Sequence, residues 1–134
     1  MKIWLFLLLI PLVMPAQDLN QTLDYADQQF IVGNYDLAIK AYRRVLFFGI
    51  DSIGDQVFEP LADCYLRTGN ARAAHTYLDL AFANLSDDSA KNELLFKKAT
   101  AFILDGEYPY AKIELLNLDA NSEYFFKKQA FFQG

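Results

Sequence analysis

An all-α array of stacked helix–turn–helix units is the fold this sequence predicts, on three observations. Single glycines recur at Gly33, Gly69 and Gly106, 36 and 37 residues apart. An alanine follows each by five residues (Ala38, Ala74, Ala111), and another precedes each by seven (Ala26, Ala62, Ala99). The apolar residues around these small ones keep the spacing of a helix face rather than the alternation of a strand.

The chain opens with "MKIWLFLLLIPLVMPAQ". Lys2 is a minimal positive start, Ile3 to Val13 is apolar apart from Pro11, and Ala16 supplies a small residue before Gln17. This resembles a bacterial secretory signal peptide over residues 1–16. A spanning helix needs about 20 apolar residues, and this run is shorter and broken by proline. The expectation is cleavage after Ala16 and a mature chain that works in the periplasm or outside the cell. No stable membrane span remains after cleavage, and with no cysteine after the apolar run a lipidated N-terminus is excluded.

Three units follow, at about 19–49, 55–86 and 92–118. In each, Tyr42, Leu78 or Leu115 stands nine residues after the glycine, and Val45, Ala81 or Leu118 twelve after. An alanine with apolar residues four and seven positions on marks one face of a second helix. Before the glycines, Phe58, Leu61, Ala62, Tyr65 and Leu66, then Leu95, Ala99, Phe102 and Ile103, mark a first helix. The glycine ends that first helix because the chain there turns left-handed, which costs glycine little. Pro109 sits near the start of a second helix, where its missing N–H does no harm. The alanines let two helix backbones approach closely. One such unit buries little, so several must share a core. "GIDSIGDQ" (Gly49 to Gln56) and "NLSDDSAKN" (Asn84 to Asn92) read as links between units.

Residues 119–134 hold Tyr124, Phe125, Phe126, Phe131 and Phe132. Repeat arrays normally end on a polar cap, so this apolar end reads as the start of a fourth repeat or as a closing helix. Gly134, 35 residues after Ala99, falls near the small-residue position of such a fourth first helix.

Composition narrows the function. Hydrophobic residues make up 54% of 134, and the net charge is −5. Without Lys2 the balance is 11 basic against 17 acidic residues, −6. Such a chain with no basic cluster is a poor nucleic-acid binder. One cysteine, Cys64, and one histidine, His75, do not make a zinc site. The glycines are single, so no phosphate loop is present, and no Ser–His–Asp spacing supports a nucleophile. Asp87-Asp88 beside Ser86 and Ser89 suits turn and helix-start chemistry better than acid–base work. Cys64 reads as a small buried thiol, with a redox or intermolecular disulfide role as the alternative. No enzyme activity, metal or cofactor is expected.

The units resemble the tetratricopeptide repeat over about residues 19–118. "ADQQFIVGNYDLAIKAY" (Ala26 to Tyr42) carries the likeness best, followed by "LADCYLRTGNARAAHTYLDLA" (Leu61 to Ala81) and "KATAFILDGEYPYAKIELL" (Lys98 to Leu116). The family period is 34, and its closing proline is missing from all three copies. The resemblance implies a right-handed superhelical array whose first helices line a concave groove for a peptide or partner helix. Carried over by register, the groove holds Asn20, Leu23, Asp27 and Phe30, then Gln56, Glu59, Asp63 and Arg67, then Glu93, Phe96, Thr100 and Ile103. Asp27, Glu59, Asp63 and Glu93 against Arg67 make it acidic, which favours a basic or amphipathic partner; the same carboxylates also suit a plain solvated helix surface. The expected function is a non-catalytic interaction scaffold of the bacterial cell envelope. The alternative is the recognition arm of a larger protein with an enzymatic or membrane domain beyond Gly134.

Overall fold

The structure is a computed structural model that describes residues 18–133 except Asp87 and Asn121, and only the backbone of residues 126 and 130–133. The expected leader and Gly134 lie outside the described residues. Six helices follow in order: α1 (Leu19–Ile31), α2 (Tyr35–Arg67), α3 (Ala71–Ala83), α4 (Lys91–Leu104), α5 (Tyr108–Leu116) and α6 (Glu123–Gln133), with no strand among the described residues. Each packs on its neighbours along the chain, α1 on α2, α2 on α3, α3 on α4, and α4 on both α5 and α6.

The three glycine turns are the same device. Gly33, Gly69 and Gly106 have φ of 82°, 77° and 78°. Their N–H groups bond to the carbonyls of Phe30, Leu66 and Ile103. The next N–H, of Asn34, Asn70 or Glu107, reaches the carbonyl of Gln29, Tyr65 or Phe102 at 2.8 Å in every case. This is a Schellman motif, which satisfies carbonyls that the helix end leaves unpaired. The same Asn34, Asn70 and Glu107 are the N-caps of the following helices, and their carbonyls accept from the N–H of Ala38, Ala74 and Ala111. The five-residue spacing from glycine to alanine is thereby explained. One step leads from the glycine to the N-cap, and four more to the first N–H of the new helix.

Those alanines and their partners are buried. Ala26 and Ala38 share one core cluster with Tyr42 and Val45, Ala62 and Ala74 a second with Leu78, and Ala99 and Ala111 a third with Leu95 and Leu115. Each cluster also takes residues from the following first helix: Val57, Leu61 and Cys64 in the first, Leu94 and Ala101 in the second, and half-buried Tyr124 in the third. The units therefore share their cores. Full burial of one such leucine contributes about 1.5–3 kcal/mol.

Two expectations are corrected. The segment Gly49 to Gln56 is helical, not a loop. The first two units run into one another as α2, bent at Gly49, where φ is −144° and ψ 27°. Gly49 is buried, and a Cβ there would lie 2.5 Å from Leu19 Cδ1, so a larger residue would require the Leu19 side chain to move aside. Pro60 lies inside the same helix and withholds the N–H that would meet the Gln56 carbonyl; the buried Val57, Phe58, Leu61 and Ala62 around it hold the segment helical. Secondly, Leu118 is buried but stands beyond α5, which ends at Leu116. Asn92 and Asp119 hold that stretch against α4, the Asn92 Nδ2 donating to the Asp119 carboxylate at 2.9 Å and the Asp119 N–H to Asn92 Oδ1 at 3.0 Å. The link Asn84 to Asn92 is a turn as far as it is described, with α4 beginning at Lys91.

A Cβ at Gly69 would meet nothing within 4 Å, so Gly69→Ala isolates the cost of the left-handed backbone. The expected loss is about 1–2 kcal/mol, read as a lower urea midpoint with unchanged m-value. An unchanged midpoint would show that the turn tolerates another conformation.

Candidate functional site

The first helices of the three units are α1, the part of α2 after Gly49, and α4. The twelve residues expected to line a groove divide by burial. Leu23 and Phe30 are half-buried against the first core cluster, Phe96 and Ile103 against the third. They serve chain packing rather than an open apolar surface. Asn20, Asp27, Gln56 and Arg67 are exposed, and Thr100 is half-buried with its hydroxyl donating to the Phe96 carbonyl at 2.9 Å. In the second unit the position matching Phe30 and Ile103 is Leu66, half-buried against the second cluster; Arg67, one residue on, points the register elsewhere.

Glu59, Asp63 and Glu93 lie together, but not as an uncompensated patch. Lys97 of α4 lies among them, its Nζ 2.6 Å from Glu59, 2.8 Å from Asp63 and 3.0 Å from Glu93. Its side chain is only 17% exposed. The sequence reading missed it. Its signal was a lysine 38 and 34 residues after two carboxylates, close to one repeat period, and four after a third. Asp27 is occupied too, accepting a 2.6 Å hydrogen bond from the buried Tyr42 hydroxyl. The four carboxylates against Lys97 and Arg67 leave this face at a formal −2, less acidic than the sequence implied.

Burial raises the Asp63 carboxyl above the usual range, opposed by the hydrogen bond and charge of Lys97 and reinforced by Glu59 and Glu93. Burial alone would lower the Lys97 ammonium, but its hydrogen bonds to Asp63 and Glu59 reverse that and hold it above its ordinary value. Lys97 is therefore charged near neutrality, while at Asp63 the cost of burial outweighs the pull of that charge. Tyr42 is likewise pushed up, by burial and then by its bond to Asp27.

Other candidates are placed as follows. Cys64 is a free thiol with no exposed surface, in the first core cluster, and burial followed by the Asp63 charge pushes it up to about 12. That environment suits packing and opposes thiolate chemistry. His75 is half-buried with its ring centroid 4.0 Å from that of Phe102. Its Nε2 is buried without a hydrogen-bond partner, and burial lowers its basicity. Asp88 accepts from the Lys91 N–H at the start of α4 through its backbone carbonyl, while Asp87 lies outside the described residues. Among the described residues no group of three or more His, Cys, Asp or Glu is placed to hold a metal ion, and no helix is long and apolar enough to cross a membrane. A hollow of about 610 Å³ lies away from the carboxylates, between the start of α1 and α2, lined among others by Asp18, Tyr25, Leu37, Lys40 and Arg44.

No protein-family model matches the chain, and no curated protein matches it.

Replacing Lys97 leaves Asp63 half-buried without a cation. Lys97→Met is expected to lower stability by about 2 kcal/mol at pH 7. In that variant the folded-state pKa of Asp63 is raised further, so the variant is least penalised when Asp63 is protonated. The gap to the wild type should therefore widen as pH rises from 4 to 7; a gap independent of pH would remove Asp63 from the account. For Cys64, Ellman's reagent should fail to label the native protein within the time that labels it in denaturant. Equal rates would show that the thiol is accessible.

Proposed function

We propose that the chain is a non-catalytic interaction scaffold of tetratricopeptide type, exported to the bacterial cell envelope, which holds a basic or amphipathic peptide or partner helix against its first-helix face. The observation that carries this reading is three units in one register, each lending its core to the next, with a net negative face across their first helices. Such a face is laid out along the array rather than gathered into a pocket, which suits an elongated protein ligand. The leader sequence supports a location outside the cytoplasm. The superhelical sweep belongs to this reading, as does the concavity of the face.

Charge on the face steers a cationic partner, while Lys97 keeps the carboxylates from repelling one another. Glu59 and Glu93 are more exposed than Asp63, and Lys97 keeps Asp63 when either is neutralised. The double variant Glu59→Gln/Glu93→Gln should stay folded and weaken binding of Lys- and Arg-bearing amphipathic peptides about tenfold at low salt, or about 1.4 kcal/mol. The difference should shrink as ionic strength rises. Fluorescence anisotropy against a panel of such peptides reads both effects. Failure of every basic peptide to bind, or equal binding by the double variant, sinks this reading.

A further inference from the structure

The second-helix side of the first two units carries a groove of about 340 Å³ that the first-helix face does not use. Its floor is Phe58, 4% exposed. One wall is Phe47 and Ile50 of α2, 81% and 54% exposed, and the other is Tyr77 and Leu80 of α3, the latter 38% exposed. Phe47 has Phe48, also exposed, edge-on at 4.9 Å. Phe47, Phe48 and Ile50 leave contiguous apolar surface beside the groove, and such a patch is a candidate interaction site.

We infer that this groove docks an amphipathic helix of a partner protein, with apolar residues on successive turns and an acidic residue at the end that meets Arg43. Arg43 is the one charged residue of the lining, one turn before Phe47. Its charge in an apolar groove selects a carboxylate and rejects a cation at that end. The occupant is helical because its backbone must be satisfied. The polar groups of the lining are those of Arg43, Thr76 and Tyr77, too few to pair the N–H and C=O groups of an extended strand, whereas a helix pairs its own. The length also fits. From Arg43 to Ile50 the wall spans roughly 10 Å, or two helical turns, which takes side chains at i, i+4 and i+7. A lipid surface is disfavoured, because exposed Asp51 and Asp55 follow Ile50 on the same segment and would face anionic headgroups.

The probes are two fluorescein-labelled, hydrocarbon-stapled helices with leucine at i, i+4 and i+7, flanked at one end by Glu in one and by Lys in the other, the far end being uncharged. With the full-length protein, the Glu-flanked helix should bind at least tenfold more tightly than the Lys-flanked one. Phe47→Ser should cost tenfold or more in that binding while leaving the thermal melt unchanged, since Phe47 is mostly exposed. Arg43→Glu should reverse the preference between the probes. The Glu59→Gln/Glu93→Gln variant should leave all of this unaltered, which separates this groove from the first-helix face. Equal binding of the two probes, or no effect of Phe47→Ser, overturns the inference. So would sedimentation with phosphatidylserine vesicles that depends on Phe47, or self-association in the ultracentrifuge that Phe47→Ser abolishes, since either would assign the groove to lipid or to a second copy.

Discussion

The rest of the structure depends on the left-handed glycine that closes each first helix. At φ near 80° the chain reverses within three residues, from the C-cap of one helix to the N-cap of the next. The reversal has one geometry in all three units because the same two backbone hydrogen bonds fix it. Helices joined so tightly must lie close, and the buried alanine pairs are what make that distance possible. A turn of fixed length thus sets the register of the alanines, and the alanines set the spacing of the helices. The larger side chains, Tyr42, Leu78 and Leu115, then fill what is left between one unit and the next.

One junction adds electrostatics to its apolar packing. Between the second and third units, Lys97 reaches from α4 to two carboxylates on α2. Its neighbour Lys98 reaches the other way, 2.9 Å from Asp79 on α3 and 3.3 Å from Glu114 on α5, with its Nζ 5.3 Å above the Phe82 ring. Adjacent lysines on one helix therefore grip both sides of the array. Exposed pairs of this kind contribute little singly. These two lysines are mostly buried and each serves more than one carboxylate, so removing either strands charges that the fold has already taken out of water.

Much of the helix layout was legible in the sequence because it is written in small residues, whose positions admit few alternatives. Gly33, Gly69 and Gly106, with the six alanines, stand where their spacing placed them. The face chemistry was less legible. Asp27, Glu59, Asp63 and Glu93 were read by sign alone, and sign does not reveal that Tyr42 and Lys97 arrive from other helices to engage them. Arg67 was read one position away from Leu66, because helix periodicity is not an integer and a slip of one residue moves a side chain about 100° around the axis. Gly49 to Gln56 was misread for a different reason. Two glycines, Gly49 and Gly54, and two aspartates look like a loop, yet Gly49 is buried beneath Leu19 and Gly54 packs by Phe58, so tertiary contact overrides local preference.

That misreading bears on what the protein presents to others. Residues 49–56 enter a helix in the first junction instead of a loop. The first helix of the second unit runs from residue 50 to 67, longer than the 13-residue α1 and the 14-residue α4. With no loop between them, Phe47, Phe48 and Ile50 are held on rigid helix on either side of the Gly49 bend. A loop would let these apolar side chains fold inward. Continuous helix keeps them outside. The same helical link therefore separates the first two glycine turns and raises one wall of the groove over Phe58. The distance between the first two glycines and the bare aromatic face share this helical link.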